Sequence, residues 1–162
     1  MASLINHQLH REETVCLSVM RGGLIPTAYL LPRLKIPLEL DYIHATRYSE
    51  GIQGGELKWL KYPTVDLKDR SVLIIDDILD TGLTLQIIIT YCQQANPKQI
   101  LTAVLTQKIK PQRPGLMQAD FVGLYVPNVY VFGSGMDYQG NTLRHITGIY
   151  AVNSNIIINS KI

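Results

Sequence analysis

The sequence predicts an α/β protein: an open, mostly parallel twisted sheet flanked by helices, with a small cap and a flexible lid loop. Three observations predict it. Val72-Leu73-Ile74-Ile75 is an unbroken apolar run of the kind found in strands buried on both faces of a parallel sheet, and paired carboxylates, Asp76 and Asp77, follow it. The order of buried strand, small-residue turn and helix-spaced segment occurs twice, first after Val15 and again after Val72. Residues suited to binding a ligand gather just beyond the strands, at the edge where open α/β sheets take their ligands.

The elements follow in order. Residues 1–14 are polar and mixed, with a short helix at most. Val15 to Met20 is a strand, and Arg21-Gly22-Gly23 turns the chain into a helix-spaced segment from Leu24 to Leu34, with Pro26 tolerated in its first turn. Leu38 to Ala45 is a second strand. Arg47 to Glu56 is polar and glycine-rich, and Leu57 to Tyr62 alternates as an edge strand does, so 46–63 is expected to form a lid. The central strand ends at Asp76 and Asp77, and a helix opens at Thr81 to Thr84 and carries Leu85, Ile88, Ile89 and Cys92 on one face. Asn96-Pro97 stops it. Ile100 to Thr106 is another buried strand, Lys110 to Gly115 a basic loop, Phe121 to Val126 extended, Tyr130 to Phe132 a short strand, and Ile146 to Val152 a last one. A cap is expected mainly from 130–162, within one domain spanning 1–162.

At 162 residues and 46% hydrophobic, the chain has length enough for a substantial core. Its net charge of +2, with 17% charged residues and no basic block, demands no nucleic-acid partner. The two cysteines, Cys16 and Cys92, are far apart and read as buried apolar residues rather than a metal or disulfide framework. The four histidines lack ligand spacing, and no segment has the character of a membrane span or a signal peptide. A soluble, cytoplasmic protein without membrane partners is expected.

The stretch Asp76 to Thr84 carries the chemistry. Backbone N–H groups at a helix N-terminus, a glycine allowing close approach at Gly82 and the hydroxyls of Thr81 and Thr84 suit a phosphate. Asp76 and Asp77 would repel that phosphate, and suit instead a sugar diol or a hydrated Mg²⁺. The glycine turn beside Arg21 can hold a second anion. A ligand with a phosphate at one end, a diol in the middle and a metal-bound anion beyond describes phosphoribosyl pyrophosphate (PRPP).

Asp76-Asp77-Ile78-Leu79-Asp80-Thr81-Gly82-Leu83-Thr84 closely resembles the PRPP signature of the type I phosphoribosyltransferases. Ser18 to Pro26 resembles the pyrophosphate loop of the bacterial xanthine–guanine and hypoxanthine–guanine enzymes. Gly133-Ser134-Gly135-Met136-Asp137-Tyr138 with Leu143-Arg144 is similar to their late purine and pyrophosphate segment, and Asp120 to Gly123 with Tyr130 to Phe132 to their approach to the base pocket. The resemblance implies purine salvage: Mg²⁺-dependent transfer of a phosphoribosyl group from PRPP to hypoxanthine or guanine, with xanthine a further candidate.

By position, the resemblance implies that Asp80 is the general base and that Asp76 and Asp77 meet the ribose hydroxyls directly or through Mg²⁺. Thr81, Gly82, Leu83 and Thr84 would hold the 5′-phosphate; Arg21, Gly22 and Arg144 would hold pyrophosphate, with Asp137 on a second Mg²⁺. Tyr130 would stack on the purine, Val131 read its edge and Met136 pack beneath it. Lys108, or Lys110 in its place, would donate to the 6-oxo group. The lid of many relatives begins Ser-Tyr, which here aligns with Arg47-Tyr48 and makes Tyr48 a candidate contact. The segment before the first strand is short for the family, and a homodimer or homotetramer is expected. The competing expectations are a pyrimidine-type transferase, a nucleotide-sensing RNA-binding regulator and an inactive member of the same fold.

Overall fold

Val72 to Ile75 lie within β4 (Ser71–Leu79), and none of the four side chains is more than 1% exposed. Alternation along the strand explains this. Val72 and Ile74 pack with Leu85, Ile88 and Cys92 of α3 (Leu83–Gln93) on one face. Leu73 and Ile75 pack on the other with Ile5 of α1 (Ala2–Gln8), Leu9, and Leu30 of α2 (Leu24–Leu30). Each fully buried side chain of this size contributes roughly 1.5–3 kcal/mol, against an ordering cost of about 1–2 kcal/mol per residue of backbone. The central strands therefore hold themselves in place and can carry strained or charged residues at their ends.

The structure, a computed structural model, describes residues 1–47 and 57–152. The remaining strands are β1 (Thr14–Met20), β2 (Leu38–Arg47), β3 (Leu57–Lys61), β5 (Gln99–Lys108), β6 (Phe121–Val126), β7 (Val131–Phe132) and β8 (Tyr150–Ala151). Five of them join β4 in one sheet in the order β3-β2-β1-β4-β5-β6, and only the β2–β3 pairing in it is antiparallel. β1 leads through α2 to β2 on one side, and β4 leads through α3 to β5 on the other. The strand order thus reverses between β1 and β4, and that switch point opens a crevice at their carboxyl ends.

Several boundaries differ from the sequence expectation, each for a physical reason. β4 does not stop at Asp76 and Asp77 but runs to Leu79, because its backbone stays paired with β5 at Asp76↔Val104, Ile78↔Thr106 and Leu79↔Gln107. β5 likewise continues to Lys108, opposite Val126 of β6. α2 ends at Leu30 and passes into a 3-10 turn, Leu31–Arg33, since Pro32 has no N–H to extend the helical ladder. The strand expected over Ile146 to Val152 shrinks to Tyr150–Ala151. Its upstream carbonyls are taken by the glycine turn instead: Ser134 N–H donates to Ile146 O (2.8 Å) and Gly135 N–H to Arg144 O (2.9 Å).

β7 and β8 form a separate two-stranded sheet, and Val126, Val131 and Met136 make a small core beneath it with Ile78 and Ile149. This is the cap over 130–152; residues 153–162 lie outside the described residues. Of the segment expected as a lid, 48–56, including Tyr48, lies outside them too. The described base of that segment is anchored twice. Trp59, Tyr62 and Tyr91 of α3 pack ring on ring with centroids 5.0–5.2 Å apart, and the buried Asp41 accepts from Lys61 Nζ (2.7 Å), Thr64 N (2.6 Å) and Thr64 Oγ1 (3.0 Å). Among the described residues no helix is long and apolar enough to cross a membrane.

Candidate active site

Three chain segments meet at the switch point. The first is Arg21-Gly22-Gly23 at the end of β1, entered through a cis Met20–Arg21 peptide bond. The second is the end of β4 with the turn into α3, and the third is the cap turn carrying Asp137 and Arg144. Together they line a cleft of ≈ 370 Å³. Gly22 is required there by contact. A Cβ on it would lie 2.0 Å from Asp77 Oδ2, so only glycine lets the carboxylate lie against this turn. Gly82 is required by conformation, being the N-cap of α3 at φ +76°, a region costly for side-chain-bearing residues. The first N–H groups of α3 lack intrahelical acceptors, as in every helix, and Thr81, Gly82 and Thr84 line the cleft at that end.

Asp76 and Asp77 are buried at the floor of the cleft, with Asp77 N–H donating to Asp76 Oδ1 (2.8 Å). Burial, then the neighbouring Asp77 charge, pushes the Asp76 carboxyl well above the usual carboxylate range. Burial raises Asp77 too, against the pull of its hydrogen bond to Asp76 and of Arg144. The Arg144 guanidinium reaches Asp77 Oδ2 (3.5 Å), Asp137 Oδ1 (3.0 Å) and Gly135 O (2.5 Å), which ties the cap turn to the floor. Asp80, which also lines the cleft, meets two ammonium groups, Lys108 Nζ on Oδ2 (2.7 Å) and Lys110 Nζ on Oδ1. Partial burial pushes the Asp80 carboxyl up, but the two lysines outweigh it and hold it below the usual range.

A family model described as a phosphoribosyl transferase domain matches residues 1–140. The chain belongs to that family. The hypoxanthine-guanine phosphoribosyltransferase of Aquifex aeolicus is 32% identical over 142 residues, covering 87% of this chain and 79% of its relative. Among solved structures, a hypoxanthine phosphoribosyltransferase from Staphylococcus aureus superposes with a TM-score of 0.87 at 25% identity, covering 98% of this chain and 85% of that one. One from Trypanosoma cruzi, in a ternary complex with its substrates, gives a TM-score of 0.85 at 28% identity over 95% of this chain and 87% of that one. The mostly parallel six-stranded sheet is the phosphoribosyltransferase fold these structures share.

Within that phosphoribosyltransferase frame the expected residues do not all share one wall. Arg21, Gly22, Asp76, Asp77, Asp80, Thr81, Gly82, Thr84, Asp137 and Arg144 line the cleft. Lys108 is not part of that lining and joins it through its ion pair with Asp80. Leu83 is partly exposed in the first turn of α3. Met136 is buried in the cap core, where Thr106 Oγ1 donates to its Sδ (3.4 Å), and Val131 is buried in the same core. Tyr130 is 47% exposed, and its hydroxyl donates to Asp137 O (3.0 Å). Its ring also meets Tyr138 edge-on at 5.9 Å.

One residue the sequence reading passed over is Arg113. Its Nε donates to Asp80 O (3.0 Å), Nη1 to Met117 O (2.6 Å) and Nη2 to Lys108 O, so one guanidinium fixes the backbone on both sides of the Asp80–Lys108 pair. The signal available in the sequence was a lone arginine between two prolines and a glycine in the loop following β5.

Proposed function

We propose that this protein works as a single-domain purine phosphoribosyltransferase that transfers the 5-phosphoribosyl group from PRPP to hypoxanthine or guanine, giving IMP or GMP and pyrophosphate. The observation that carries the proposal is the Asp80–Lys108 contact of 2.7 Å beside a cleft that Asp80 lines together with a helix N-terminus and a buried carboxylate pair. It puts a proton acceptor and a cationic donor side by side, which is the pair a 6-oxopurine needs.

In this mechanism the 5′-phosphate sits on the first turn of α3 and the ribose hydroxyls face Asp76 and Asp77. A nitrogen on the imidazole edge of the purine bonds to C1 of the sugar as the C1–oxygen bond to pyrophosphate breaks. The proton on that edge passes to the Asp80 carboxylate. Lys108 donates to the 6-oxo group, and adenine, which offers a donor there, would leave the ammonium unpaired. Arg21 and Arg144 stabilise the charge on departing pyrophosphate. We assign Tyr130 to the base side of the pocket, with Val131 and Met136 in the cap core behind it.

The residues fit a divalent cation. Two adjacent buried carboxylates face one guanidinium, Arg144 on Asp77, and burial still opposes their ionisation, so a further positive partner suits them. Among the described residues no cluster of three or more His, Cys, Asp or Glu could hold a metal alone, so substrate oxygens and water would complete its shell. We assign one Mg²⁺ to Asp76 and Asp77 and a second to Asp137; when bound, they would neutralise charge on the pyrophosphate.

A spectrophotometric assay with PRPP and Mg²⁺, offering hypoxanthine, guanine, xanthine, adenine and uracil in parallel, tests the proposal. Turnover of 6-oxopurines alone is expected, and Asp80→Asn should lower kcat about 10²–10⁴-fold. Turnover of no base, or an Asp80→Asn variant as fast as the wild type, would reject it. The homodimer or homotetramer we expect is checked by light scattering on the same sample.

A further inference from the structure

Lys110 stands where a second reader of the purine oxygen would be sought, two residues beyond Lys108. Its ammonium instead holds Asp80 Oδ1, while Lys108 holds Oδ2. This is no chance meeting of surface chains. The Lys110 side chain is only 20% exposed, and the loop that carries it is docked through its backbone: Gly115 N–H donates to Thr81 O (3.1 Å) and Leu116 N–H to Gly82 O (3.1 Å). Gly115 and Gly82 lie back to back, so close that a Cβ on Gly115 would come within 2.3 Å of the Gly82 carbonyl carbon. Arg113 then binds the backbone oxygens of Asp80 and Lys108. The loop is built to bring a second cation to Asp80.

We propose that Lys110 is a positioning residue for Asp80, holding one carboxylate oxygen throughout turnover so that Lys108 can leave the other for the purine oxygen without the carboxylate turning away. This rests on Asp80 being the general base. A carboxylate clamped by a single lysine would lose its orientation at the moment that lysine engages substrate. With two, it passes from a doubly to a singly paired state as the base arrives. Its affinity for a proton therefore rises when there is a proton to accept. The charged groups facing Asp80 are Lys108 from β5 and Lys110 from the following loop, with the Arg113 guanidinium on its backbone oxygen.

The experiment compares wild type, Lys110→Met and Lys110→Arg by two readouts. The first is the carboxyl ¹³C titration of Asp80 in the ligand-free protein, its signal identified by loss in Asp80→Asn. The second is the pH profile of kcat/KM. Removing the cation favours the protonated carboxyl, so Lys110→Met should move the Asp80 midpoint and the acidic limb of the profile upward by on the order of one pH unit. Lys110→Arg should return both toward the wild type. An Asp80 midpoint unmoved in Lys110→Met, or a Lys110→Arg variant that behaves like Lys110→Met, would overturn the inference. Turnover that survives Asp80→Asn would instead remove Asp80 as the base. The carboxyl titration needs no turnover and still decides whether Lys110 clamps it.

Discussion

Asp76 and Asp77 occupy the floor of the cleft at a cost. A carboxyl raised by burial binds a proton in the folded state that the unfolded chain has already released. Its effect is to lower stability as pH climbs above the usual carboxylate range, and the loss is present at neutral pH. Asp76→Asn should therefore stabilise the ligand-free protein at pH 7 by about 0.5–2 kcal/mol, or a few degrees in Tm. It should also flatten the decline of stability between acid and neutral pH while abolishing turnover. Calorimetric scans at a series of pH values check this; a variant no more stable than the wild type at pH 7 would contradict it. Such a trade between stability and ligand readiness belongs to single residues, and the Asp-Asp pair makes it visible in the sequence. That both carboxylates are buried is not visible there, because the strand carrying them continues past them only when β5 pairs alongside.

At the scale of elements, two devices hold the cleft's borders. Asp41 ties β2 to the chain leaving β3 through Lys61 and Thr64. Burial pushes its carboxyl up, but these donors outweigh burial and leave it well below the usual range. A depressed carboxyl contributes stability that is present above the ordinary pKa of about 4 and is lost as pH falls toward the folded-state value. Asp41→Asn should cost about 1–3 kcal/mol at neutral pH, with the difference from wild type narrowing as the solution is acidified. Urea titrations at several pH values measure it, and a difference constant with pH would count against the ion pair.

The second device is the N-cap of α3. Gly82→Ala meets both the left-handed backbone and Leu116 O, 2.3 Å from the new Cβ. A loss of at least about 1–3 kcal/mol is expected. The damage should concentrate where the 80–84 turn meets the docked loop, so hydrogen exchange there should accelerate more than in β1 or β4. Uniform acceleration across the sheet would refute that localisation. The helix start and its glycine were legible from Thr-Gly-x-Thr. The partner surface was not, since Gly115 and Leu116 lie in a loop whose sequence shows only turn and breaker signals.

For the whole molecule, the sheet order brings the ends of β1 and β4 together while the cap turn closes on them through Arg144. A ligand spanning all three segments should bind the folded state alone. PRPP with Mg²⁺ at a hundredfold excess over its Kd should therefore raise stability by about 2.7 kcal/mol, and the rise in Tm should vanish when Mg²⁺ is chelated. A thermal shift equal with and without the metal would contradict the assignment of Mg²⁺ to the carboxylates.

The amino-acid sequence alone determined the strand–turn–helix units, the parallel α/β class and the run of carboxylates, hydroxyls and glycine from Asp76 to Thr84. These depend on residues a few positions apart, where apolar periodicity and turn chemistry act directly. Only the tertiary structure decided that Arg144 bridges Asp77 and Asp137, that Gly22 lies against Asp77, and that Lys108, Lys110 and Arg113 converge on Asp80 from 28–33 residues away. The reason is physical. Those contacts come from which strands lie side by side and how two loops dock backbone to backbone, and no local pattern of side chains records either.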